Sequence, residues 1–448
     1  MKINLPKPAK DHFNQKADEF LLQLRPAPKE PERSKKSLST SHEFVDLVIT
    51  DKELLKASPS GTIDGFGAAT SKFFPTEQGP VGLVDAEYVT FEKLTEQIAQ
   101  RNEVRRFLST QFVSETFFKW FEGRYKGSIP TSGTFVDYLC HHAEEGIKEI
   151  KVAIPLSYVV IEHPFTLGKV KFEYYTAEFF DKFEAVVSEK NPGVDPRGIK
   201  HIRSKYQGVV FATMSICAAQ HRCVEIASEE TEKALTLLRL FSPTTFWPQI
   251  SSYFGRMGHA HIPVSHYFVF EDAWPKVLTQ AEEKADFRLT IDANFLRLMN
   301  AAGLSVWGEL LAKSELSELE QLLLNSISLF SKSIASSNFQ DKIVFALASI
   351  ETILLKNSTE PIQHFVGLRL AFVTAPALEP RKRIIKVIRA AYQIRSSYLH
   401  HGKVTEDHQL LAELLRTIWS AFRLILLNRA EYSTHAEFLD FVENMILS

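Results

Sequence analysis

From about Leu304 onward, apolar residues recur at helical spacing in one segment after another. Before it they come in shorter runs broken by turn residues. Six helices are predicted in the later part. Ser314–Ala335 is the first, with Ser314 as a plausible N-cap. Phe339–Lys356 sets Ile343, Leu347, Ile350 and Leu354 on one face. Pro361–Thr374 follows, with Pro361 suited to its first turn. Pro380–His400, Asp407–Asn428 and Thr434–Leu447 complete the set. The Asp407–Asn428 helix is apolar through Leu411, Leu414, Leu415, Ile418, Phe422 and Leu426. The pattern predicts an all-α helical bundle over 304–448, within ordinary domain size.

The earlier half mixes signals. Ile150–Tyr175 carries the clearest strand pattern, two runs separated by His163–Gly168. Val170, Phe172 and Tyr174 alternate there with Lys169, Lys171 and Glu173, as in a half-buried strand. Phe44–Ile49 is another β-type run, and Gly61, Gly65 and Gly67 mark loops. Thr95–Phe121 is helix-like, with Phe107, Phe112, Phe117 and Phe118. Residues 41–200 therefore read as a β-rich N-terminal domain. Gly208–Ala218 reads as a strand and Glu229–Leu240 as the helix after it. With the apolar run His266–Phe270 they form a middle α/β segment over 201–303, either separate or part of the N-terminal domain. Residues 1–40 are broken by Pro6, Pro8, Pro26, Pro28 and Pro31 and charged from Lys29 to Lys36, so they read as a loose extension. The expected fold class is α+β: a β-containing N-terminal half followed by a C-terminal all-α bundle.

Composition narrows the function classes. Apolar residues make up 45% of the 448-residue chain and charged residues 24%, which excludes a disordered chain, a collagen-like fibre and a disulfide scaffold. Lys plus Arg is 52 against 54 for Asp plus Glu, a net charge of -2, so a protein coating nucleic acid non-specifically is not expected. Any nucleic-acid contact must come from a local patch. Cys140, Cys217 and Cys223 are scattered, as in a reducing compartment. The N-terminus lacks the apolar run of a signal peptide, and no stretch approaches a spanning helix. The expectation is a cytoplasmic protein with no membrane partner.

The local patch is easy to find. Between Pro380 and Val404 stand seven basic residues, Arg381, Lys382, Arg383, Lys386, Arg389, Arg395 and Lys403, and no acidic ones. A solvated helix face explains Arg381 to Lys386 taken alone. Arg395 is different, because it follows Ile384, Ile388 and Ala391 at spacings of 11, 7 and 4 and so continues the apolar stripe. A guanidinium entering such a face needs a partner, either a carboxylate or a phosphate. His400 lies five residues on, which is about 140° around an ideal helix. Gly402 is placed to end the helix, so His400 falls in its last turn or just past it. There it could swing toward a shared site or face the matching helix of a second subunit.

The stretch YQIRSSYLHHG resembles the signature of the HEPN domains, specifically the Apea-like branch. That branch carries Arg-x4-6-His at the end of a bundle helix, commonly as Arg-Ser-x-x-x-His-Gly. Arg395, Ser396 and His400 match those positions; His401 stands where glycine usually follows, with Gly402 next. ASIETILLK around Glu351 and GLRLAFV around Arg369 are similar to other stretches of the branch, and the resemblance covers about Leu304 to Ser448. It implies a HEPN bundle, and many HEPN proteins are metal-independent endoribonucleases with two such motifs paired across a homodimer. The ribose 2′-OH attacks the adjacent phosphate, leaving a 2′,3′-cyclic phosphate and a 5′-OH. Arg395 would contact the phosphate and His400 would serve as acid and base, supported by Ser396, His401 and Gly402. The residue types suit these tasks: an imidazole ordinarily titrates near pH ~6.5, and a guanidinium offers phosphate a planar fork. Arg381, Lys382, Arg383, Lys386, Arg389 and Lys403 would bind the RNA. The branch is associated with bacterial anti-phage abortive infection, so a phage-derived or cellular trigger is implied, with the N-terminal half sensing or regulating. Other HEPN domains are non-catalytic dimerisation or ligand-binding modules, and that alternative stays open.

Other signals are weaker. His259 and His261 have no Cys or carboxylate cluster beside them, and Cys140-His141-His142 lacks a spaced partner pair. Gly65-Phe66-Gly67 lacks the third glycine of a dinucleotide loop. No metal and no cofactor is expected. Most of the 34 phenylalanines read as core, with a few in the N-terminal domain available for a recognition groove.

Overall fold

A computed structural model describes residues 3–27, 61, 69–190, 196–250, 253–258, 264–270, 275–281, 288–357 and 359–448. The run Phe44–Ile49, Gly65, Gly67, the charged stretch Lys29–Lys36, His259 and His261 lie outside these residues. The chain divides into two compact units, Met1–Ile150 with Ser215–Ile226, and Lys151–Met214 with Ala227–Ser448.

The first unit is built on an aromatic core. The helix Thr110–Tyr125 starts where the Ser109 side chain accepts the Phe112 N–H, and it buries Val113, Phe117, Phe118, Trp120 and Phe121. Phe91, from the helix Asp85–Ala99, meets the rings of Phe117 and Phe118 edge-on, and Phe135 stacks on Phe117. These phenylalanines of the first unit are core, whereas Phe179, in the second unit, is exposed. A three-stranded antiparallel sheet, in the order 25–26, 81–84, 71–74, belongs to the same unit. Lys7–Leu22 is a helix, where proline content suggested a loose tail. Ala9, Phe13, Ala17 and Phe20 recur at helical spacing and are all buried in this core, while Pro6 and Pro8 sit where a helix start tolerates them.

The second unit holds a sheet and the helical bundle around one hydrophobic core. Strands Phe165–Leu167, Val170–Tyr174 and Val210–Ala218 lie side by side, followed by Lys148–Ser157 and Gly255–Arg256, in a five-stranded sheet. The alternation expected at 169–174 is present: Val170 and Phe172 are buried, and Lys171 is exposed. Val264–Phe270 pairs with Pro275–Ala281 in an antiparallel hairpin. Strand then helix recurs at Val210–Ala218 and Gln220–Leu240.

The bundle helices run Glu318–Ala335, Phe339–Leu354, Ile362–Thr374, Leu378–His401, His408–Asn428 and His435–Leu447. The fold class is therefore mixed: a β-containing N-terminal half and a C-terminal helical bundle. Two further helices, Ala293–Ala301 and Leu304–Ala312, precede them and meet at Gly303, whose φ of 110° favours glycine. The first bundle helix is capped by Ser317 and not by Ser314. Ser317 accepts the Glu320 N–H while the Glu320 carboxylate accepts the Ser317 N–H, a reciprocal capping box that Ser314, with Ser317 at its fourth position, cannot form. The interior is mostly apolar, with Ile327, Phe330, Leu347, Ile350, Leu370, Leu415 and Phe422 buried, and it also encloses the Lys342 side chain. One charged tie crosses it. Fully buried Arg369 donates to both Glu360 oxygens at 2.9 and 2.8 Å, to Glu443 at 2.7 Å and to the Leu354 carbonyl at 2.7 Å. Burial opposes its charge, but the Glu360 and Glu443 hydrogen bonds outweigh it and hold the guanidinium above its usual range. Among the described residues no helix is long and apolar enough to cross a membrane.

Candidate functional site

The helix Leu378–His401, 24 residues long, carries the motif. Its buried face, Val387, Ile388 and Ala391, packs into the bundle core. It ends where Gly402 adopts a φ of 63°. The Gly402 N–H returns to the Tyr398 carbonyl at 2.9 Å and the Lys403 N–H to the Ser397 carbonyl at 3.2 Å, a Schellman closure that a side chain at 402 would strain. His400 and His401 therefore stand in the last helical turn, both exposed, with ring centroids 6.5 Å apart.

Arg395 turns toward the core side of the helix, and its side chain is 27% exposed. Its partner is a carboxylate: Nη1 donates to Glu351 Oε1 at 2.5 Å, from the helix Phe339–Leu354. The Tyr392 hydroxyl donates to the same oxygen at 2.7 Å, and the guanidinium lies 5.8 Å from the Tyr392 ring centroid. Burial and then the Glu351 charge push the Tyr392 phenol far up, so it stays a proton donor. Arg395 Nε and Nη2 make no hydrogen bond to any described residue. One edge of the fork is thus tied and the other uncommitted.

The chain does not bring Arg395 and His400 together; no hydrogen bond or ring contact links them among the described residues. The helix is continuous through both, so the rotation of about 140° between them persists. Ser396 and Gly402 are exposed near the helix end.

The basic residues sort into two groups. Arg381 is half-buried, donates to the Ala375 carbonyl at 2.8 Å and lies 3.8 Å from the Phe372 ring centroid. Lys382 pairs with Glu379 at 2.7 Å, and Arg383 forks onto Glu413. These three are occupied within the chain. Lys386, Arg389 and Lys403 are exposed and form no ion pair with a described residue. Lys382, Lys386, Arg389, Gln393, Ser396 and His400 are all exposed, at spacings of 4, 3, 4, 3 and 4. That is one solvent-facing stripe on a helix of 3.6 residues per turn.

Glu351 and Tyr392 are the residues that spacing alone did not single out. The signal for Glu351 was a carboxylate beside Ile350 and four residues after Leu347, on the rim of an apolar stripe. Tyr392 precedes Arg395 by three, within reach on one helix face. Among the described residues, no group of three or more His, Cys, Asp or Glu side chains could hold a metal ion. No family model, curated protein or solved structure matches this chain.

Proposed function

We propose that the bundle is a HEPN-type, metal-independent endoribonuclease, acting as a homodimer in the cytoplasm, with the N-terminal half sensing or regulating. One observation supports the reading: the exposed basic stripe of the motif helix ends on His400, while Arg395, toward the same helix end, keeps Nε and Nη2 uncommitted among the described residues. A phosphodiester at that end would meet an imidazole for proton transfer and a fork for its developing charge. Because one chain holds the two side chains about 140° apart, a second copy must set its His400 beside the first copy's Arg395. A role in anti-phage defence follows from the resemblance of the motif. The test is to express the protein and His400→Ala in cells and map RNA 5′-OH ends. New ends with the wild type that vanish in the variant support the reading; identical maps reject it.

A second reading has its own support. The Glu351 carboxylate and the Tyr392 ring hold Arg395 inside the chain, as they would hold a purely structural arginine. On that reading the bundle is a non-catalytic dimerisation or ligand-binding module, and no 5′-OH ends accumulate.

A further inference from the structure

We infer that the exposed stripe of the motif helix is a sequence-independent track for one RNA strand, with its phosphates on Lys386, Arg389 and Lys403 and the reacting linkage at the Gly402 end. The identity of the polyanion rests on the nuclease reading; the track itself rests on placement and charge.

Placement comes first. Along a helix rising about 1.5 Å per residue, Arg389 lies about 16 Å and Lys386 about 21 Å from His400. Both lie within about 40° of the His400 line, because eleven and fourteen residues are close to whole numbers of turns. Lys403 follows the Schellman turn, just past the helix end. A strand laid along this row therefore meets cations before and after the imidazole.

Charge comes second. Ion pairing within the chain removes Lys382 and Arg383 from the set, and Arg381 is packed on Phe372. Glu379 and Glu413 are engaged by Lys382 and Arg383, and of the two acids that follow Lys403, Glu406 lies 3.7 Å from His408 and Asp407 caps the next helix. What remains are three cations that form no ion pair among the described residues, on a chain whose overall charge is -2.

Chemistry comes third. Between Arg389 and His400 the stripe offers only Gln393 and Ser396, so the His400 imidazole is the one ring on the stripe able to stack a base. Contacts to phosphate position a strand but carry no sequence information. A single strand fits better than a duplex, because in an A-form stack the 2′-oxygen lies beside the phosphorus and not in line with the bond to be broken.

The probe is an uncleavable 2′-O-methyl oligouridine, followed by fluorescence anisotropy with the full-length protein between about 50 and 200 mM salt. Three phosphate contacts give a slope of log K against log salt of about -2, since each contributes about -0.7 on a single strand. Lys386→Gln and Arg389→Gln should each weaken binding several-fold and flatten the slope by about 0.7, whereas Arg381→Gln should leave the slope unchanged. Absence of binding, an equal effect of Arg381→Gln, equal affinity for a duplex of the same length, or competition by polyglutamate as strong as by polyuridine would each overturn the track. Because the probe cannot be cleaved, binding without any ribonuclease activity rejects only the nuclease reading. Cleavage with unaltered binding in the variants rejects only the track.

Discussion

Arg395 and Glu351 face each other across two bundle helices, the guanidinium 27% and the carboxylate 16% exposed, joined by a 2.5 Å contact. The Tyr392 hydroxyl shares the same carboxylate oxygen. This arrangement fixes where the guanidinium points and leaves part of it free. A charge this far from water loses solvation and depends on its partner.

Removing either partner should therefore be felt in stability. Glu351→Gln should cost about 1.5–3 kcal/mol, the range of a hydrogen bond to a charged group. In a double-mutant cycle with Arg395→Met the two changes should couple by a similar amount, since they share one contact. Urea unfolding of the four proteins measures it. Purely additive effects would mean that the pair is solvated and does not orient the arginine.

Arg395→Lys should keep the fold and lose the function. An ammonium can replace the pairing to Glu351, but a point charge cannot at once bind that carboxylate and offer two parallel N–H groups to a phosphate. The expected result is a melting curve near wild type with cleavage reduced at least as far as general acid–base loss reduces it, roughly 10²–10⁴-fold. His400→Ala should show the same reduction with no change in stability, because the side chain is exposed and packs on no core residue. His401→Ala should be milder. Loss in His401→Ala with full cleavage in His400→Ala would move the site by one residue.

Much of this site was readable from spacing, and the reasons are specific. Ile384, Ile388 and Ala391 predicted the inward turn of Arg395, since a helix has one rotation per residue and little freedom to depart from it. The need for a counter-charge was equally readable, but its identity was not. Glu351 is 44 residues away, and which carboxylate meets Arg395 depends on how two helices cross. The pairing that occupies Arg383 was hidden for the same reason, because Glu413 approaches from another helix. The displaced cap at Ser317 was legible in principle, since Glu320 three residues on completes a capping box. The N-terminal helix was obscured by prolines that mark a helix start as readily as a loop.

Arg369 should be the most sensitive charged position in the bundle. It is fully buried, tied to Glu360, Glu443 and the Leu354 carbonyl, and so joins its own helix and the turn just before it to the last helix, 74 residues on. Arg369→Met would leave Glu360 and a buried carbonyl without their donor, at a cost of about 3–5 kcal/mol. Glu443→Gln should cost far less, because Glu443 is more exposed and Glu360 still balances the charge. Thermal unfolding of the two variants ranks them; the reverse order would mean that the network is held from the Glu443 side.

Lys342 gives the stability a pH dependence of calculable sign. It is 2% exposed, and among the described residues its amine reaches only the Ile334 carbonyl, at 3.4 Å. Burial lowers its pKa from 10.5 to about 8. Below pH 8 the lysine is protonated in both folded and unfolded chains, and the folded state carries the full cost of a buried ammonium. Between about pH 8 and 10.5 the unfolded chain holds the extra proton, so this residue makes stability rise with pH. The total gain has an upper bound of about 3 kcal/mol, at 1.36 kcal/mol per pKa unit. Lys342→Met, similar in length and uncharged, should stabilise the protein at pH 7. Its advantage over wild type should shrink as pH rises through 8 to 10. Urea unfolding of both proteins across that window tests the sign and the midpoint together. An advantage that stays constant with pH would show that Lys342 keeps its proton in the folded chain, and that the Ile334 carbonyl at the end of its helix is a sufficient partner for the ammonium.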